Sequence, residues 1–232
     1  MNGQSPIRIG MVLFPKLTQL DLTGPYEVLN SHPRTRIDLL WHRLEPVVAQ
    51  GGLILTPSAT FGDYGRPDVL FVPGGPGVLD AMDDEALLDF IRSAAGHAQY
   101  ITAVCTGSLV LAAAGLLVGK RATCHWSSIH LLELMGATPA NERVVEDGKI
   151  ISGGGVTSGI DFGLVLASRL LGEDAARRIQ LLLEYNPAPP FEGGHPDTAP
   201  AETVDAVTGL MSEVIEKRRQ AAERIARERL KL

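Results

Sequence analysis

Cysteine is scarce in this chain. Cys105 and Cys124 are the only two, too few for a disulfide framework or a thiolate metal site, so a cysteine that matters here matters as a thiol. The longest nearly apolar run, Leu109 to Val118, is far shorter than the roughly 20 residues that a bilayer crossing needs. The start, Met1 to Pro6, lacks a basic-then-apolar leader, so the protein is expected in the cytoplasm with no membrane contact. Positive charge is short as well. Against 27 acidic residues there are 21 basic ones, and a net charge of −6 offers no broad field to a phosphate backbone, so no nucleic-acid partner is expected. Histidine and acidic residues do not bunch at ligand spacing, and no catalytic metal is expected.

The chain does have 45% hydrophobic residues over 232 positions, enough to fill one sizeable core. Short β-branched runs at Ile7 to Phe14, Ile37 to Trp41, Val69 to Val72 and Tyr100 to Val104 read as strands. The segment Arg143 to Ser152 reads as a hairpin turning at Asp147-Gly148, and Gly51-Gly52 with Ile54 to Thr56 as a smaller hairpin excursion. Between them lie helical patterns: one opening at Pro25 with Thr23 or Gly24 as its cap, then Glu85 to Ala98, Leu109 to Ala114, Ser127 to Met135, Ser158 to Leu171 and Asp174 to Glu184. Strands that alternate with helices predict an α/β fold, a mostly parallel sheet with helices on both faces. After the Pro- and Gly-rich stretch Asn186 to Pro200, Glu202 to Leu232 is one long helical segment. Its basic end, Arg218, Arg219, Arg224, Arg227, Arg229 and Lys231, reads as a solvated face favoured by the helix dipole.

Cys105 follows a five-residue strand with no spacer and leads straight into a helix, which places it at a sharp turn on the carboxyl edge of the sheet, where open α/β folds bind ligands. The dipole and free N–H groups of that helix are expected to favour a thiolate without a neighbouring cation. Gly74 and Gly75 also follow a strand. If the two strands are neighbours, backbone N–H groups of Gly75 and Thr106 could hold developing negative charge beside the sulfur. Asp21, flanked by two leucines, is costly to bury without a partner; it is either an acid–base group with a raised pKa or the cap of the helix at Pro25. His125 and Trp126 are read as pocket lining or supporting groups.

The motifs Gln19-Leu20-Asp21-Leu22-Thr23-Gly24-Pro25, Pro73-Gly74-Gly75, Val104-Cys105-Thr106-Gly107-Ser108, Thr123-Cys124-His125-Trp126 and Gly153-Gly154-Gly155-Val156-Thr157-Ser158-Gly159-Ile160-Asp161 resemble those of the DJ-1/PfpI superfamily. The resemblance runs from about Ile7 to Pro200. It implies a flavodoxin-like three-layer sandwich over residues 1–200, related to class I glutamine amidotransferases, with 201–232 as a helix packed on or extending from it. A homodimer is implied, with Cys105 as nucleophile on its elbow, Asp21 as acidic partner and Thr106 shaping the site. Redox-sensing and glyoxalase-like members carry glutamate in place of Asp21, and protease-like members carry histidine in place of Thr106, so neither activity is expected. Regulators that fuse this domain to a helix-turn-helix module need a longer chain.

The branch that fits is the one that hydrates isocyanides to N-substituted formamides without a cofactor. In that reading Cys105 attacks the terminal carbon, Asp21 moves the proton, and Gly154 and Val156 lie in a linker that lets the next helix shift. The alternatives are a ligand-binding or redox-sensing module without turnover, and a thiol hydrolase of another small electrophile that depends on His125.

Overall fold

The computed structural model of the protein describes residues 5–232; Met1 to Gln4, part of the start read above for a leader, lie outside the described residues. The order of elements opens with β1 (Ile7–Val12), α1 (Gln19–Asn30) and β2 (Thr35–Trp41), followed by the short strands β3 (Val47–Val48), β4 (Ile54–Leu55) and β5 (Ala59–Thr60) and the single turn α2 (Phe61–Tyr64). Next come β6 (Val69–Val72), α3 (Val78–Ala81), α4 (Glu85–Ala95), β7 (Tyr100–Val104) and α5 (Gly107–Ala113). After β8 (Arg121–Ala122), α6 (Leu131–Leu134) and β9 (Thr138–Pro139), the hairpin β10 (Val144–Asp147) and β11 (Ile150–Gly153) leads into α7 (Ser158–Leu171) and α8 (Glu173–Leu182). The chain ends with α9 (Ala201–Ile225) and a wider turn over Ala226–Leu230.

Seven strands make one sheet in the order β10-β11-β7-β6-β1-β2-β5, parallel throughout except where β10 returns against β11. Numbering the central five in chain order gives 2-1-3-4-5, the flavodoxin-like arrangement, whose switch point lies between β1 and β6. Pairing of Met11 with Phe71, Val72 with Ala103 and Gly153 with Val104 brings the carboxyl ends of β1, β6, β7 and β11 to one edge, so their loops share one crevice.

Helices α1 and α7 pack on each other over one face, with α8 against α7, while α4 and α5 cover β6 on the other. All seven residues of α5 are buried, as expected of a helix that is apolar all round: it is sandwiched between the sheet and an outer group of α3, α6 and α9. The fold is therefore α/β with helices on both faces.

Two local expectations are corrected. Helix α1 begins at Gln19 behind Thr18, not at Pro25, so Thr23 and Gly24 are not caps and Pro25 lies inside the helix. Proline cannot donate to the carbonyl of Asp21, but its ring packs where Gly159 of α7 leaves room, since a Cβ there would lie 3.1 Å from Pro25 Cδ. The helix expected over Ser127 to Met135 is only Leu131–Leu134. Before it the chain makes tighter turns, with Ser128 N donating to His125 O at 2.9 Å and Leu131 N to Ser128 O at 3.0 Å.

Candidate active site

Cys105 follows directly on β7 with φ of 58°, a left-handed conformation that costs a non-glycine residue about 1–3 kcal/mol and must be held by its surroundings. What holds it is the glycine loop after β11: the Cys105 N–H donates to the carbonyls of Gly154 at 2.8 Å and Gly153 at 3.0 Å. Val104, Thr106, Gly107 and Ser108 around it are buried, and Cys105 itself is only 5% exposed. Ser108 Oγ donates to Thr123 O at 2.7 Å, and Thr123 N donates to Ser152 Oγ at 2.9 Å, which fastens the Cys124 segment to the elbow and to β11.

Asp21 sits third in α1 and is fully buried, so of its two sequence readings the cap is excluded. Neither carboxyl oxygen meets a donor in full hydrogen-bond geometry. The nearest polar groups are the Cys105 thiol and the Gly74 N–H. Burial drives the Asp21 pKa up to about 7, and those two contacts hold it back from rising further. The Cys105 thiol is pushed up by burial first and by Asp21 second, with the Thr106 N–H pulling the other way. This corrects the expectation of a thiolate prepared by the helix dipole: in the closed site desolvation outweighs the N–H groups of a seven-residue helix and pushes both Cys105 and Asp21 toward their protonated forms.

Gly74 is where the backbone of the β6 loop touches this pair. A Cβ on it would lie 2.6 Å from Thr106 N and 2.9 Å from Asp21 Oδ2, so only glycine fits. Gly75, at φ of 133°, lies against Thr18 and Leu17. The oxyanion role expected of Gly75 has no free donor, because its N–H already donates to Thr106 Oγ1 at 3.0 Å. The Thr106 hydroxyl thus fixes the glycine loop, and the Thr106 N–H faces the sulfur.

A cavity of about 520 Å³ opens beside the elbow, lined by Cys124, His125, Trp126, Gly154, Val156 and, from the loop before α9, His195 among others. Cys105 does not line it; Gly154, which accepts the Cys105 N–H, does. His125 and Trp126 form part of the wall, their ring centres 5.6 Å apart. Burial, and then the charge of Arg218, push the His125 pKa down to about 4, so its imidazole is neutral near pH 7, and Nδ1 lies 2.8 Å from Ser127 Oγ.

Arg218 is the residue that the sequence reading misplaced. Far from being part of a solvated face, it is 4% exposed and points from α9 into the back of the site. Its Nη1 donates to Ser128 Oγ at 3.2 Å and its Nη2 to the carbonyl of Gly75 at 3.3 Å. A signal was available: Arg218, Ala222 and Ile225, at i, i+4 and i+7, share the buried face of α9.

Among the described residues no three His, Cys, Asp or Glu side chains gather as metal ligands, and no helix is long and apolar enough to cross a membrane. A mostly parallel sheet with the 2-1-3-4-5 order, a cysteine in left-handed geometry directly after strand β7 and an acid beside it define a class of cysteine-elbow α/β proteins. Residues 7–169 match the DJ-1/PfpI family, and the chain belongs to it.

Within that family the chain is 53% identical to an isonitrile hydratase of Pseudomonas putida over 220 residues, 95% of this chain and 96% of that protein. A crystal structure of a ThiJ/PfpI family protein from Pseudomonas syringae superposes with a TM-score of 0.92 at 41% identity, covering 94% of this chain and 91% of that one. The transcriptional regulator CdhR of Pseudomonas aeruginosa, of the helix-turn-helix type, is 31% identical over 72% of this chain but only 52% of its own length.

Proposed function

We propose that the protein is an isonitrile hydratase, an enzyme that adds water to an isocyanide to give an N-substituted formamide. The observation that carries the reading is the 53% identity, nearly end to end, to a protein of that activity, in a chain whose elbow cysteine and buried acid are in contact. The chemistry suits the pair. An isocyanide carbon must accept a nucleophile and a proton at the same atom, and Cys105 with Asp21 supplies one of each. The sulfur forms a bond to the carbon while Asp21 takes the thiol proton and delivers it to that carbon, giving a thioimidate, R–N=CH–S–Cys105. Water then adds to the thioimidate carbon as Asp21 accepts its proton and passes it to nitrogen. The C–S bond breaks, the sulfur regains a proton and R–NH–CHO leaves. No redox step occurs and no cofactor is called for.

Thr106 and Gly74 hold the pair together, and Gly75 positions the loop. His125 and Trp126 are walls of the substrate cavity. Because Cys105 is closed off from that cavity, substrate entry requires the Gly154 to Val156 linker to yield, and the hydrogen bond that Gly154 O accepts from the Cys105 N–H ties that motion to the elbow. Residues up to 200 act as the catalytic domain and 201–232 as an integral extension that completes it through Arg218. A homodimer is part of the reading, supported by the exposed Leu181, Leu182, Phe191 and Leu210 around α8 and the free part of α9. Two reduced, buried cysteines suit a cytoplasmic site of action. A steady-state assay with a simple aryl isocyanide tests the proposal: turnover to the formamide is expected, with at least a thousandfold loss in Cys105→Ala. No formamide from the unaltered protein would refute it.

A further inference from the structure

The buried guanidinium of Arg218 has no carboxylate partner. Its two hydrogen bonds go to neutral oxygens, Ser128 Oγ and Gly75 O, and its Nε has no partner at all. A cation nine-tenths buried with only neutral acceptors is expensive unless negative charge lies close by. One such charge arises at the site when the contacting Cys105 and Asp21 give up a proton between them. Arg218 reaches that pair through the same Gly74–Gly75 loop whose backbone presses on Thr106 and Asp21.

We propose that Arg218 is the positioning cation of the active site: it balances the negative charge that the Cys105–Asp21 pair takes on when it loses a proton and, through the Gly75 carbonyl, holds the glycine loop against it. The inference rests on the reading of Cys105 as nucleophile. Burial weakens the charged form of Arg218, and the groups that favour it are the thiols Cys105 and Cys124. Cys124 in turn is pushed up to about 12 by burial although the charge of Arg218 pulls it down, so near pH 7 it stays a thiol and carries no negative charge for the cation to balance.

Other ionisable groups around the cluster are accounted for. His125 is neutral; on α9, Arg219 is held by Glu216 and Glu223; Arg224 pairs with Asp83, and Arg229 with Glu85. His130, just before α6, and Glu133 on it are exposed to solvent, and on α7 Asp161 is paired with Arg143. Arg218 is thus the one cation of these elements that lacks an acidic partner.

The test is the pH dependence of Cys105 alkylation by iodoacetamide, read on the Cys105 peptide by mass spectrometry so that Cys124 does not contribute. It is run on the full-length protein as wild type, Arg218→Met, Arg218→Gln and Arg218→Lys. A cation beside the pair favours its anion, so removing it raises the apparent pKa of alkylation. The expected result is an upward shift of at least one pH unit in the Met and Gln variants, with the Lys variant within half a unit of wild type. The acid limb of kcat/KM for an isocyanide should move by the same amount.

Profiles that superimpose in wild type and Arg218→Gln would overturn the proposal, as would a Lys variant shifted like Met. If Arg218→Met fails to fold, the Gln and Lys variants decide alone. Alkylation does not depend on turnover, so loss of the hydratase reading and loss of the Arg218 role give separate results.

Discussion

At the scale of single residues, the proposed chemistry rests on three buried ionisable side chains, Cys105, Asp21 and Arg218. Asp21 shows the consequence for stability. Its folded pKa, about 7, lies above its unfolded value of 3.8, so between those values the native state binds more protons than the unfolded chain, and stability falls as pH rises across that window. Asp21→Asn removes the titration. The variant is expected to lose most of its hydratase rate while becoming more stable than wild type at pH 8, by at most about 4 kcal/mol, with the gain vanishing near pH 4. Urea unfolding at both pH values checks this, and a variant less stable at pH 8 would count against a strained carboxylate. Cys105 and Asp21 were both legible in the sequence, one from a strand running without spacer into a helix, the other from a carboxylate between leucines. The protonation of the sulfur was not, because burial is a property of the assembled layers. Arg218 was hidden among basic neighbours: composition marks that segment as solvated, and only its spacing to Ala222 and Ile225 betrays which arginine turns inward.

At the scale of elements, the strand and helix order was readable from apolar runs and their punctuation. Hairpin β10–β11, helix α7 and its stop at Gly172 fall where the pattern put them. The start of α1 did not, since a proline usually sits in a first turn and here lies mid-helix, accommodated by the missing side chain of Gly159. The segment Ser127 to His130 was misread as helix because its apolar spacing continues into α6, while bonds from Ser128 to His125 and from Leu131 to Ser128 tighten it into turns. Those turns set Ser128 where Arg218 reaches it. The β6 loop is the least tolerant element. Gly74→Ala would put a methyl group 2.6 Å from Thr106 N with backbone on the far side, and is expected to destabilise the fold by about 1–3 kcal/mol and to lower kcat more than it raises KM. Denaturant melts and steady-state kinetics on the same preparation check it; wild-type values in both would mean that the loop has slack.

At the scale of the whole molecule, α9 joins two roles. Its C-terminal part buries Arg218, Ala222 and Ile225, with Arg218 reaching the back of the site, and its first four turns expose Leu210, as Leu181, Leu182 and Phe191 are exposed earlier in the chain. Covering that apolar surface with a second copy predicts a dimer by sedimentation at micromolar concentration, and Leu210→Glu is expected to shift it toward monomer. A wild type that sediments as a monomer would leave the surface without a partner and remove the dimer from the account. Sequence alone pointed to the dimer only through family resemblance; the exposed leucines supply a physical reason.

The central claim, a covalent bond between the Cys105 sulfur and the isocyanide carbon, is tested most directly by intact-mass analysis of acid-quenched enzyme mixed with an aryl isocyanide. Wild type is predicted to gain the mass of one isocyanide, located on the Cys105 peptide, early in turnover, and Cys105→Ala to gain nothing. Formamide production by Cys105→Ala at the wild-type rate would contradict it.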